Sequence, residues 1–230
     1  MIYVTSDLHG IAPEALRALL RKADFTDADT LFVLGDTVDR GEYGVELLLW
    51  MMEQPNVIHL LGNHEAMLLA ASGLLFATVT DESLERLDQE QFAILSNMLL
   101  NGAQPTLTGL KRLAKRDPEQ IEALLDYLRE MPLYDSVEVG DVTYVLVHAG
   151  LGNFAPDKRL SFYTPDELLW HRPERSERYF GGDVQILFGH TPTGYYGAKG
   201  EIVRTDTWCC IDTSDVSPTL LRLEDGAVFT

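Results

Sequence analysis

Basic residues are scarce in this chain: 18 Lys and Arg stand against 36 Asp and Glu, a formal net charge of -18. Phosphate backbones and anionic headgroups select for Lys and Arg, so this balance argues against a nucleic-acid partner and against a membrane surface. The acidity reads most simply as solubility. Part of it is also free for metal sites, where dications offset it. Long apolar runs are missing as well. No stretch of about 18 apolar residues occurs, which excludes a transmembrane helix. The segment Met1 to Gly10 has no basic region and no cleavable apolar stretch, so no secretory signal is expected there. Cysteine is limited to Cys209 and Cys210. Neighbours on a strand point to opposite faces, so the two together do not make a metal clip. Few cysteines and no signal fit a reducing, cytoplasmic setting.

What the chain does contain is core. Its 230 residues are 46% hydrophobic and 23% charged, enough for one large domain or two small ones. The first third alternates strand and helix. Apolar runs at Ile2–Ser6, Thr30–Gly35 and Val57–Leu61 are separated by helical spacing over Pro13–Lys22 and Tyr43–Glu53. That order implies two crossover units and a parallel sheet. From about 65 to 131 the pattern is helical, clearest over Glu119–Glu130, where Ile121, Leu124, Leu125 and Leu128 share one face. A loop with Asn101, Gly102, Pro105 and Gly109 interrupts this segment. It reads as a helical insertion over one edge of a single domain spanning 1–230. Strands return at Leu133–Val139 and Val142–His148, around a Gly140-Asp141 hairpin signal. They continue at Val184–Gly189, Glu201–Thr205, Trp208–Asp212 and Pro218–Leu223, where short hairpins predict antiparallel pairing.

Polar residues gather where strands end. The first strand delivers Ser6-Asp7-Leu8-His9-Gly10, the second Gly35-Asp36-Thr37-Val38-Asp39-Arg40-Gly41 and the third Gly62-Asn63-His64-Glu65. Sites in open α/β sheets form beyond the carboxyl ends of the strands, and the glycines permit tight turns and close backbone approach. Asp7 and His9, two residues apart, can turn towards one ion. Asp36 can bridge two dications while Arg40, four residues on, forks onto a phosphate. Asn63 adds a neutral oxygen and His64 an imidazole. His148 and His190 likewise sit where an apolar strand meets a glycine-containing turn. His59 lies inside an apolar run and reads as structural.

These five blocks, in this order, resemble those of the calcineurin-like metallophosphoesterases. Within them the chain is most similar to the phosphoprotein phosphatase branch in its short bacterial and phage form. The family pattern is Gly-Asp-x-His-Gly, Gly-Asp-x-Val-Asp-Arg-Gly, Gly-Asn-His-Glu, His-Gly-Gly and Gly-His-Thr. This chain matches the second and third blocks fully, with Ser6 in the first and Ala149 in the fourth. The resemblance implies a four-layer α-β-β-α sandwich: two mixed sheets flanked by helices. It implies one metal held by Asp7, His9 and Asp36, and a second by Asp36, Asn63, His148 and His190. Arg40, His64 and Asn63 then face the phosphate, Asp39 orients His64, and Trp170-His171-Arg172 makes Arg172 a second phosphate arginine. His171 takes no role.

Mixed oxygen and imidazole donors suit Mn²⁺, Fe²⁺ or Zn²⁺ better than Ca²⁺, and the resemblance points first to Mn²⁺. Two such ions about 3.5–4 Å apart can share a bridging hydroxide that attacks phosphorus directly. His64 then gives a proton to the leaving group. The expected activity is hydrolysis of phosphomonoesters, first of all by a protein serine/threonine phosphatase acting on phosphorylated proteins or small phosphoesters. The alternative from the same superfamily is a diadenosine tetraphosphate hydrolase. A non-catalytic phosphate-binding scaffold is a third reading, against which every ligand position is filled.

Overall fold

The computed structural model describes residues 1–76 and 89–230; the part of the helical segment at 77–88 lies outside them. Strands β1 (Ile2–Thr5), β2 (Thr30–Val33) and β3 (Val57–His59) pair in parallel. Between them run α1 (Pro13–Lys22) and α2 (Gly44–Met52). Antiparallel strands β9 (Leu220–Arg222) and β10 (Val228–Phe229) complete this sheet in the order β10-β9-β1-β2-β3. The second sheet has the order β4-β5-β6-β8-β7, from β4 (Tyr134–Val139), β5 (Val142–Val147), β6 (Val184–Phe188), β7 (Val203–Arg204) and β8 (Trp208–Cys210).

Both faces of the central strands are buried, so those strands read as nearly continuous apolar runs whose members alternate between two cores. In the first sheet Val4, Phe32 and Leu34 point inward, while Tyr3, Leu31 and Val33 meet Leu16, Leu20, Leu47 and Met51 of the helices. In the second, Leu146, Leu187 and Cys209 join the inner core, and Val147, Ile186, Trp208 and Cys210 the outer one. Cys209 and Cys210 thus do face opposite ways. The outer face of this second sheet is covered by the short helix α7 (Pro165–Leu169), two 3-10 turns and the loops around them.

Between β3 and β4 lie α3 (Asn63–Leu75), α4 (Gln89–Leu100), α5 (Gln104–Arg116) and α6 (Pro118–Glu130). The last forms where local chemistry dictates. Asp117 accepts the Gln120 N–H, Pro118 fills the first turn, and Ile121, Leu124, Leu125 and Leu128 bury one stripe. The predicted break from Asn101 to Gly109 is shorter than expected. Pro105 opens α5 and Gly109 lies inside it. A Cβ at Gly109 would lie 2.9 Å from Val45 Cγ2, so the absent side chain lets α5 settle on α2. The third region also departs from the expectation of antiparallel pairing, because β5, β6 and β8 are mutually parallel. Only β4–β5 and β7–β8 in that sheet are antiparallel. The connection from β5 to β6 is long enough for a crossover but carries little helical periodicity, so the sequence hid its direction.

Candidate dinuclear metal centre

Parallel pairing in both sheets has one consequence for chemistry: the carboxyl ends of β1, β2, β3, β5 and β6 converge. Asp7 and His9 follow β1, Asp36 follows β2, Asn63 and His64 follow β3, His148 follows β5 and His190 follows β6. All seven side chains are buried. The loops interlock through their backbones. His9 N–H donates to Asp36 O at 2.9 Å, and Gly10 N–H to Thr37 O at 2.7 Å. Among the described residues eight non-glycines have positive φ, and six of them, Asp7, His9, Asp36, Asp39, Arg40 and His190, are in this cluster. Such backbone persists only where the surroundings over-determine it, and it concentrates at functional sites.

Two acid–imidazole groups share Asp36. Donor atoms of His9, Asp36 and His64 lie within 4.8 Å of one another, as do those of Asp36, His148 and His190. Asp7 Oδ1 is 4.0 Å from His9 Nε2, and Asn63 Oδ1 is 2.9 Å from His148 Nε2. The ring tautomers follow from their outer partners. His148 Nδ1–H donates to Leu34 O at 2.6 Å and His9 Nδ1–H to Val38 O at 3.1 Å. Each directs Nε2 into the cluster, bare at His9 and facing the Asn63 and Asp36 oxygens at His148, the arrangement by which backbone carbonyls orient imidazoles for ligation.

The electrostatics are those of a buried acidic cluster faced by imidazoles. Burial opposes a charged imidazole at His148, yet the Asp36 and Asp7 carboxylates override it and push its pKa up to about 10. Burial raises the Asp7 carboxyl well above its ordinary range, and the neighbouring Asp212 adds to this. Asp36 is held well below the ordinary range by His148, His64 and His9, against the burial that works the other way. Burial brings His9 down to about 4 and His190 to about 2, so both rings are neutral at pH 7. Buried carboxylates and imidazoles converging around a common carboxylate are the donor set of a divalent-metal site. The residues present therefore fit two such ions.

A second ring of residues surrounds the donors. His64 Nδ1–H donates to Asp39 Oδ2 at 2.7 Å, and its Nε2 lies 3.5 Å from the Arg40 guanidinium and 3.7 Å from Asp36 Oδ2. That pair bond raises the His64 pKa despite the opposing burial. Arg172, on the exposed side, donates to His190 O at 3.0 Å. Trp170, 41% exposed, stands T-shaped to His190 with 6.2 Å between ring centroids. A cavity of about 270 Å³ opens beside Asp7, His9 and Arg40, walled on its other side by Ser214, Val216, Ser217 and Pro218. His59 is a core residue, 3.0 Å from Thr37 Oγ1, with burial pulling it down to about 3. His171 pairs with Glu177 at 3.0 Å on the surface.

Three residues here had no role in the sequence reading. The Glu65 carboxylate, fully buried, accepts backbone N–H groups from Asp36, Thr37, Val38 and Gly62 at 2.8–3.2 Å. It holds the Asp36 turn in place. A Cβ at Gly62 would collide with the Asp36 and Glu65 carboxylates, which explains the glycine. Asp212 follows β8 as the others follow their strands, and that position was its signal. Thr106, from α5, bonds Asp39. Nothing local in the sequence marks it.

The family model for calcineurin-like phosphoesterases matches residues 1–212. The chain belongs to that family. As a calcineurin-like phosphoesterase it is similar to a symmetrical bis(5'-nucleosyl)-tetraphosphatase of Paracidovorax citrulli. The two are 27% identical over 91% of this chain and 63% of that protein. A protein of the same name from Photorhabdus laumondii is 27% identical over 99% of this chain and 95% of its own length. The first relatives it matches are longer: the chain spans 63%, 44% and 57% of them. Among solved structures, one with the provisional name diadenosine tetraphosphatase shares the fold at a TM-score of 0.65 and 18% identity, over 99% of this chain and 90% of that one. A protein serine/threonine phosphatase from Saccharomyces cerevisiae shares it at 0.59 and 16%, over 99% and 79%. At such identities these two establish the fold, a phosphoesterase sandwich of two mixed five-stranded sheets flanked by helices.

Proposed function

We propose that this phosphoesterase hydrolyses dinucleoside polyphosphates, with residues 1–230 acting as one catalytic domain and the helical segment as its insertion. Hydrolysis itself is carried by one observation, the two buried acid–imidazole groups joined at Asp36. The substrate class is supported by the curated relatives, above all the Photorhabdus protein aligned over nearly its whole length. Their names reverse the order in which the motifs alone rank the substrates, where a phosphoprotein came first. The exposed Trp170 face and the cavity walled by Ile11, Val216 and Pro218 offer apolar surface for a nucleoside beside the phosphate position.

In this reading Asp7, His9 and Asp36 hold one divalent ion, and Asp36, Asn63, His148 and His190 the other, with Mn²⁺ the first candidate. The bound ions supply Lewis acidity and a nucleophilic oxygen from water at neutral pH. The chain's own residues do the rest. Arg40 and Arg172 take the phosphoryl oxygens, where negative charge spreads in the transition state. As the oxygen of water bonds to phosphorus, the bond to the departing oxygen breaks. His64 Nε2 gives that oxygen a proton, and Asp39 keeps the ring turned for the transfer. A symmetrical cut of a diadenosine tetraphosphate consumes one water and leaves two molecules of ADP.

A parallel assay tests the substrate. Diadenosine tetraphosphate, a phosphoserine peptide and a phosphotyrosine peptide are compared by kcat/KM with Mn²⁺ present. We expect the dinucleotide to be preferred by more than about tenfold, which is near 1.4 kcal/mol, with ADP as sole nucleotide product. A peptide preference of that size would restore the phosphoprotein reading.

A further inference from the structure

The insertion reaches into the site at one turn. Thr106, 1% exposed, donates its Oγ1–H to Asp39 Oδ1 at 2.6 Å and accepts the Asp39 N–H at 2.9 Å. The other Asp39 oxygen accepts from His64 Nδ1 at 2.7 Å. One residue on, the Arg40 N–H donates to Gly102 O at 2.8 Å, from the turn just before α5. Asp39 and Arg40 are both left-handed, with φ of 70° and 65°, a conformation non-glycine residues hold only under constraint.

A carboxylate with one oxygen bonded can still rotate about its terminal torsion, which is broad. With both oxygens bonded it cannot. A hydroxyl offers one donor and two acceptor positions, so Thr106 pins the Asp39 carboxylate and its backbone at once. We infer that Thr106 is a positioning residue for proton transfer: it fixes Asp39 against His64. The helical segment thereby supplies the outer link of a Thr106–Asp39–His64 chain. The inference rests on the reading of His64 as the group that protonates the departing oxygen.

Thr106→Val keeps the shape and removes both bonds, and Thr106→Ser keeps both bonds. Each is compared with wild type, with His64→Asn and with the Thr106→Val/His64→Asn double variant on aryl and alkyl phosphates. We expect Thr106→Val to lose roughly 10–100-fold in kcat/KM on the alkyl ester, the usual cost of an outer-shell partner, and far less on p-nitrophenyl phosphate. Thr106→Ser restores the alkyl rate, and Thr106→Val adds nothing once His64 is Asn. Equal losses on both esters, or none, with His64→Asn still leaving-group dependent, would overturn the role of Thr106 alone. A His64→Asn variant without leaving-group dependence would remove the reading of His64, and the inference with it. Proton NMR of the metal-free protein gives a readout independent of turnover. The Asp39-bonded His64 Nδ1–H signal should persist in Thr106→Ser and broaden or vanish in Thr106→Val. Should Thr106→Val fail to fold, Thr106→Ala takes its place. An unchanged signal in whichever of the two folds contradicts the inference.

Discussion

At the scale of residues, the centre is built from charges that need a counter-charge. In the metal-free protein His148 keeps a proton up to a pKa of about 10, because Asp36 and Asp7 outweigh its burial. Ligation requires the neutral ring, so at pH 7 an entering dication must displace that proton. Affinity should therefore fall as pH falls, by about tenfold per unit for each proton released. Calorimetric titration of Mn²⁺ in buffers of different ionisation enthalpy measures the number directly. At least one proton released per chain at pH 7 is expected, and none would mean that His148 is not a ligand. The convergence of Asp7, His9, Asp36, Asn63, His148 and His190 was legible in the sequence because each closely follows an apolar strand. Thr106 was not, since its partner Asp39 is 67 residues away and a threonine within a helix carries no local sign of what it bonds.

At the scale of elements, α5 connects the helical segment to the site. Thr106 and Gly109 lie one turn apart, one bonding Asp39 and the other resting on Val45 of α2. Alanine at an ordinary helix position improves on glycine by about 1 kcal/mol. Here the new methyl meets a stiff β-branched side chain at 2.9 Å, and overpacking costs about 1–3 kcal/mol. We expect Gly109→Ala to be destabilised by about 1 kcal/mol in urea unfolding, and Val45→Ala in the same chain to relieve it. A Gly109→Ala protein more stable than wild type would show that α5 does not press on α2 there. Turn chemistry misled the sequence reading at this point. Pro105 and Gly109 look like loop residues, yet one opens a helix and the other serves a close contact. The strands after Val142 misled it differently: hairpin signals are local, whereas the pairing of β5 with β6 is decided by a crossover of irregular loops.

At the scale of the whole molecule, two sheets bring the carboxyl ends of their parallel strands to one place, so residues from Asp7 to His190 meet around Asp36. No helix among the described residues is long and apolar enough to cross a membrane. The strand-end clusters made the family legible, and the sandwich came with that resemblance, since the strand pattern alone gave only a parallel sheet. The substrate was not, because a metal pair held there would address only the phosphoryl group that phosphoproteins and dinucleotides share. The account stands or falls on Asp36 as the shared ligand of two ions. Equilibrium dialysis of wild type and Asp36→Asn against Mn²⁺, read by metal analysis, tests this. Two ions per wild-type chain, with both weakened together in Asp36→Asn, is the expected result. A wild-type chain that holds no ion, or an Asp36→Asn chain that keeps both at undiminished affinity, would contradict it.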